Sequence, residues 1–171
     1  MSQQLNNKPG IRYAYYENGI TYISGNAVSA ERKQAVELAT KRSRICFHRS
    51  SADALHEMMI TFHRDTYVRP HKHLSKMESY LVIDGEIELV YFDDNGTIKK
   101  RVEMGNYASG KVFYLKSVSD QWHTVLIKTE FATILEVTNG PFVADECVFA
   151  SWAPEVSDKA AAEAYIQKLV Q

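Results

Sequence analysis

Between residues 44 and 149 the chain is a succession of short β-prone runs. They read RICFH (44–48), EMMITFH (57–63), ESYLVID (78–84), EIELVYFD (86–93), TIKKRVEM (97–104), KVFYLK (111–116), WHTVLIK (122–128) and FATILEVT (131–138). Turn residues separate several of them, at Asp84-Gly85, Asn95-Gly96, Gly105-Asn106 and Asn139-Gly140-Pro141. Many short strands with regular turns predict a closed or double-sheet antiparallel β structure.

The flanks read differently. Residues 1–10 are polar and end in the breaker Pro9-Gly10. IRYAYYENGITYIS then predicts two strands about a two-residue hairpin turn at Asn18-Gly19. The helix formers of AERKQAVELATK predict a short helix over 30–41 with Ser29 as its cap. SDKAAAEAYIQKLV predicts a C-terminal helix, capped by Ser157 or Asp158, with Ala162, Tyr165, Ile166 and Leu169 along one face. The expected organisation is an N-terminal tail, hairpin and helix over 1–41, a β-barrel domain over 42–156, and a helix over 157–171 packed on the same domain.

Composition narrows the class without naming a function. With 171 residues, 45% hydrophobic and 24% charged, the chain matches an ordinary globular domain. A net charge of -1 leaves no electrostatic footprint for nucleic acid or an anionic membrane. The one dense basic run, Lys99-Lys100-Arg101, follows a turn and reads as a solvated hairpin edge. No apolar stretch approaches the roughly 18 residues of a spanning helix, and no secretory signal pattern is visible. Cys46 and Cys147 lack CxxC spacing, so reduced thiols in a cytoplasmic protein are expected.

The chemistry concentrates in RPHKHLSKMESYLVIDGE, residues 69–86. Strand geometry lets His71 and His73 point the same way, about 7 Å apart at their Cα atoms. Glu78 and Tyr80 share a face of the following run, and His123 opens WHTVLIK. Three imidazoles and a carboxylate suit Zn, Fe, Mn, Ni or Co, and a six-coordinate ion would keep two open positions. One divalent transition metal held by His71, His73, Glu78 and His123 is therefore expected.

In these residues the chain resembles the cupin superfamily. The first cupin motif, HxH followed by three or four residues, Glu, six residues and Gly, is matched by His71-x-His73, four residues, Glu78, six residues and Gly85. The second, PxGxxH, appears as VSDQWH, with Val118 for the proline, Asp120 for the glycine and His123 retained. Over roughly residues 42–156 the chain is similar to WbuC-type cupin fold metalloproteins, which accompany bacterial surface-polysaccharide (O-antigen) genes. The stretches RSRICFHRSSADALHEMMI, YVRPHKH, KMESYLVIDGEIELVYFDDNG, FYLKSVSDQWHTV, LEVTNGPF and FASWAPE carry this likeness. The resemblance implies an all-β cupin (double-stranded β-helix, jelly-roll) barrel with a central metal and a bacterial cytoplasmic location.

The leading functional expectation is metal-dependent chemistry on a sugar or nucleotide-sugar derivative, isomerisation or epimerisation with the metal as Lewis acid. An iron-dependent dioxygenase and a non-catalytic cupin that binds a small molecule are the alternatives. Around the ligands, Tyr80, Glu136 and Lys76 are candidate catalytic groups, and Arg44, His48 and Arg69 candidate substrate contacts. Each has a plainer reading: Tyr80 as a barrel-core aromatic, Lys76 as a solvated rim residue, Arg44 as a strand-edge arginine, His48 as structural. Glu136 interrupts an apolar run and either faces inward beside the metal or outward to solvent. Trp122 should face away from His123 and pack, while His56 and His63 lack ligand spacing. The aromatic N-terminal runs either pair with a second copy, giving a homodimer, or pack on their own barrel.

Overall fold

The computed structural model describes residues 9–14 and 18–170. Two β-sheets face each other across one core, as the strand pattern predicts. The larger is built from β1 (Ile11–Tyr13), β2 (Arg42–Cys46), β3 (Leu55–His63), β5 (Glu78–Asp84), β8 (Tyr114–Ser117) and β10 (Phe131–Asn139), in the order β1-β2-β3-β10-β5-β8. The smaller contains β4 (His71–His73), β6 (Glu86–Phe92), β7 (Ile98–Gly105), β9 (Trp122–Ile127) and β11 (Cys147–Phe149), in the order β11-β4-β9-β6-β7. Apart from the β1–β2 pair, neighbouring strands run antiparallel. The result is the expected jelly-roll barrel with two added helices.

Alternation along each strand sorts side chains to the core or to the outer faces. Met58, Ile60 and Phe62 of β3, Tyr80 and Val82 of β5, and Ala132 and Ile134 of β10 meet Ile87, Leu89, Met104 and Val125 of the smaller sheet. The outer face of the larger sheet is also apolar: Ile45 and Met59 are buried against Ala27 and Val28 of helix α1 (Gly25–Glu37). Helix α2 (Lys159–Val170) lays Leu169 on Val90, Phe92 and Leu126, with Trp122, Trp152 and Tyr165 around them. Asp158 caps α2 by accepting a hydrogen bond from the Ala161 amide.

The N-terminal region departs from expectation in two ways. Helix α1 begins at Gly25, not at Ala30, and ends at Glu37, where Leu38 turns extended (ψ 142°). Ser24 holds the cap position, while Ser29 lies inside the helix and its hydroxyl donates to the Gly25 carbonyl at 3.4 Å. The docking of Ala27 and Val28 on the sheet accounts for the early start: packing, more than propensity, fixes a helix this short. The second departure is the partner of β1. Asn18 and Gly19 do take the paired left-handed conformation of a hairpin turn (φ 50° and 79°), and part of that hairpin, residues 15–17, lies outside the described residues. Ile11–Tyr13, however, pairs parallel with β2, Ile11 opposite Arg44. A parallel pair requires a crossover, and α1 supplies it.

Gly85, the glycine of the first motif, joins β5 to β6 with φ +73°. A Cβ there would lie 2.2 Å from the Phe131 carbonyl oxygen and 2.9 Å from Ala132 Cα. The turn is pressed against the start of β10, so only glycine fits. This close approach fixes β5, which carries Glu78, against the strands around it.

Candidate metal centre

The imidazoles come from two neighbouring strands of the smaller sheet. His71 of β4 stands directly opposite His123 of β9, and His73 follows two residues along β4 on the same face. One ring nitrogen from each of His71, His73 and His123 falls within 4.8 Å of the others, a cluster able to hold a metal ion. The rings are oriented from behind. His71 Nδ1 is 2.9 Å from the Arg69 carbonyl oxygen and His123 Nδ1 is 2.9 Å from that of Gln121. Nδ1–H therefore donates to backbone in both, leaving the Nε2 lone pairs for a ligand. His73 Nδ1 is buried with no nitrogen or oxygen partner, and the thiol of Cys147, its cross-strand neighbour on β11, lies beside it.

The carboxylate arrives from the opposite sheet. Glu78, at the start of β5, is buried, with Oε1 3.1 Å from His73 Nε2 and Oε2 3.3 Å from His123 Nε2. Tyr80 shares its face, as parity predicts, and donates from its hydroxyl to Glu78 Oε2 at 2.8 Å. The same hydroxyl is 3.4 Å from His123 Nε2. Three neutral-capable imidazoles, two of them against one carboxylate, are the donor types of a borderline transition metal, so these residues fit the ion expected from sequence.

Charge in this cluster is finely opposed. Burial, then the charge of His123, push His71 down to about 3, keeping it neutral. Burial also works against charge on His73, but contacts with Cys147 and Glu78 outweigh it and lift that imidazole to about 10. For Glu78 burial disfavours the carboxylate, yet its contacts with His123 and His73 hold it well below the usual range. Without metal, a proton resides on His73 against the Glu78 carboxylate.

Glu136 faces the barrel interior. On β10 it stands opposite Tyr80 of β5 on one side and Met58 of β3 on the other, both core residues. Burial, reinforced by the nearby charge of Glu78, pushes its carboxyl up to about 7. Arg44 belongs to the same interior: Nη1 is 3.7 Å from Met58 Sδ. Arg42, two residues earlier on β2, shares that face and was not singled out from sequence. The regular alternation of RSRIC was the available signal, since Arg42 and Arg44 have the same parity.

Other expected site residues are engaged elsewhere. The Arg69 guanidinium pairs with Glu155 and donates to the Ala150 carbonyl at 2.9 Å, so what reaches His71 is the Arg69 backbone oxygen. His48 stacks on His56 with ring centroids 4.1 Å apart, and its Nδ1 meets the Glu57 carbonyl. Lys76 is buried on the rim with its ammonium 4.9 Å from the centre of the Phe142 ring. Trp122 points away from His123, donating from Nε1 to Asp94 and packing edge-on against Trp152. The drifted second motif keeps its backbone: Asp120, at the glycine position, adopts φ +63°, and its amide donates to the His73 carbonyl at 2.7 Å. Cys46 is a buried core thiol and Cys147 a free, partly buried one.

Comparison with known proteins agrees on the fold and stops there. A family model described as a domain of unknown function (DUF6016) matches residues 23–104. No curated protein sequence matches the chain. Among solved structures, protein SO0799 from Shewanella oneidensis superposes with a TM-score of 0.54 at 13% identity, covering 74% of this chain and 84% of its own. A cupin superfamily protein from Desulfitobacterium hafniense is similar at 15% identity and a TM-score of 0.45, covering 60% of this chain and 86% of its own. KdgF from Halomonas sp. is similar at 15% identity and a TM-score of 0.44, covering 61% and 82%. Two facing, mostly antiparallel sheets give this chain a jelly-roll barrel, and the solved structures similar to it include one described as a cupin superfamily protein. No helix among the described residues is long and apolar enough to cross a membrane.

Proposed function

We propose that the protein is a metal-dependent cupin in which His71, His73, Glu78 and His123 bind one divalent transition metal, and that it acts on a sugar or nucleotide-sugar derivative of surface-polysaccharide metabolism by isomerisation or epimerisation. The observation that carries the metal assignment is the pre-oriented trio of imidazoles, two of them anchored through Nδ1 to backbone carbonyls, with Glu78 between His73 and His123. The substrate class rests on the resemblance to WbuC-type proteins. A bound divalent ion would supply Lewis acidity toward a substrate carbonyl oxygen.

The chain's own residues then have distinct tasks. Tyr80 fixes Glu78 through its hydroxyl, and its complete burial keeps that hydroxyl protonated, with an acidity far weaker than a free phenol. Glu136 lies one strand from Tyr80, and a carboxyl held near neutrality can both accept and release a proton at a substrate carbon. The test is incubation of the metal-loaded protein in D₂O with a panel of sugar phosphates and nucleotide sugars, followed by NMR. Deuterium incorporation at a carbon next to a carbonyl, lost in Glu136→Gln, is the expected result. Absence of exchange, turnover and binding across the panel would defeat the proposal, and oxygen uptake by an iron-loaded protein would replace it with the dioxygenase reading.

A further inference from the structure

We infer that Arg42 and Arg44 form an oxyanion-binding site on the inner wall of the barrel, so that the substrate carries a phosphate or carboxylate group. This deepens the proposed function, since it takes the barrel interior to be the substrate cavity.

The placement follows from strand alternation. Ser43 and Ile45, the intervening residues of β2, lie under α1: the Ser43 hydroxyl donates to the Glu31 carbonyl at 2.9 Å, and Ile45 packs with Ala27 and Val28. Arg42 and Arg44 must therefore project to the other side, opposite Phe62 and Ile60 of the core. Two guanidinium groups, which stay charged at any physiological pH, are thus held half-buried on the same face, opposite core residues Phe62 and Ile60.

Nothing among the described residues neutralises them at contact distance. Arg69, a largely buried arginine of this chain, pairs with Glu155, and the more exposed Arg12 and Arg101 pair with Glu31 and Glu88. Arg44 instead reaches the weak acceptor Met58 Sδ at 3.7 Å. Burial, and then the like charge of Arg44, depress Arg42 to about 10, so the arrangement is unfavourable for the empty protein. Glu136 is the interior carboxylate whose charge favours both, and even when ionised it offsets one of two positive charges. Glu78 is already held by His73 and His123. In either protonation state of Glu136 the arginine pair retains net positive charge.

An oxyanion resolves this imbalance. Guanidinium forks match the geometry of carboxylate and phosphate oxygens, and a pair of them on alternate residues of one strand can grip two edges of the same group. Arg42 and Arg44 influence Glu136 electrostatically, and Arg42 also feels Cys147, the neighbour of His73.

The experiment is arginine modification of the metal-loaded protein by phenylglyoxal, mapped by peptide mass spectrometry, with and without inorganic phosphate or acetate. Protection of Arg42 and Arg44, with exposed Arg64 modified at its normal rate, is expected. Protection by phosphate alone assigns a phosphoryl group, and by acetate a carboxylate. Calorimetric titration with the protecting anion should show affinity about tenfold or more weaker in Arg44→Gln and in Arg42→Gln, the loss of one charge-assisted contact. His73→Ala, which removes a proposed metal ligand, should leave this anion binding in place, so failure of the metal assignment and failure of the oxyanion site are separable. Equal modification of Arg42 and Arg44 with and without both anions would overturn the inference, and so would unchanged affinity in both variants.

Discussion

Replacing Gly85 by alanine tests whether the motif glycine is required by packing as well as by backbone conformation. Its φ of +73° alone makes an L side chain unfavourable, by about 1–2 kcal/mol. The new Cβ would also lie 2.2 Å from the Phe131 carbonyl oxygen and 2.7 Å from Thr129 Oγ1. The first contact is backbone, which cannot swing away, so overpacking adds about 1–3 kcal/mol. The sum, about 2–5 kcal/mol, corresponds to a fall in Tm of about 4–20 °C for a chain of this size. Gly110 is the matched control, with φ +74° and no heavy atom within 4 Å of where an alanine methyl would sit. Gly110→Ala should therefore lose only the conformational part, about 2–8 °C by the same scaling. Differential scanning calorimetry of both variants measures the difference. Equal losses in the two would refute the argument that β5 is fixed by the close approach of its turn to β10.

The proton on His73 predicts the pH dependence of metal binding. With His73 lifted to about 10 and His71 lowered to about 3, a metal binding near neutrality must displace the His73 proton, so affinity should rise about tenfold per pH unit from pH 6 to 8. Competition with a calibrated chelator reads this slope, and a flat profile would contradict it. Glu78→Gln keeps the shape of the side chain but removes the charge between His73 and His123; metal affinity should fall about 10–100-fold or more, read by the same competition. Leu169→Ala should lower stability by about 2–3 kcal/mol, because Leu169 is buried against Val90, Phe92 and Leu126. Both tryptophans of the chain border that cluster, so their emission should shift to the red, and an unchanged spectrum would argue against α2 docking there.

Much of this architecture was legible wherever local pattern and tertiary role coincide. The run ESYLVID matches β5 end to end, because Met77 lies outside the ladder and Asp84-Gly85 closes it. The meeting of His71, His73 and His123 with Glu78 followed the motif spacing, because β4 and β9 are paired neighbours and β5 faces them from the opposite sheet. The orientation of Glu136 was not readable, because FATILEVT is apolar at both parities: its inner residues meet the core, while Leu135 and Val137 on the other face are half-buried. Strand β11 is three residues long and exists through its pairing with β4, a contact over 70 positions away in sequence. The parallel β1–β2 pair likewise depends on the α1 crossover and leaves no mark in the alternation of Ile11–Tyr13. Arg42 was within reach of parity reasoning, but only the burial of Ser43 and Ile45 under α1 shows which side is inside.

The central claim, that the imidazole cluster and Glu78 hold one metal ion, is tested most directly by elemental mass spectrometry of the untagged protein beside His123→Ala. His123 is buried and its Nε2 lies near both Glu78 and Tyr80, so its removal opens the cluster at its centre. One equivalent of a single transition metal in the native protein and a large loss in the variant is the predicted result. No metal in either protein, even after incubation with Zn, Fe, Mn, Ni and Co ions, would contradict it.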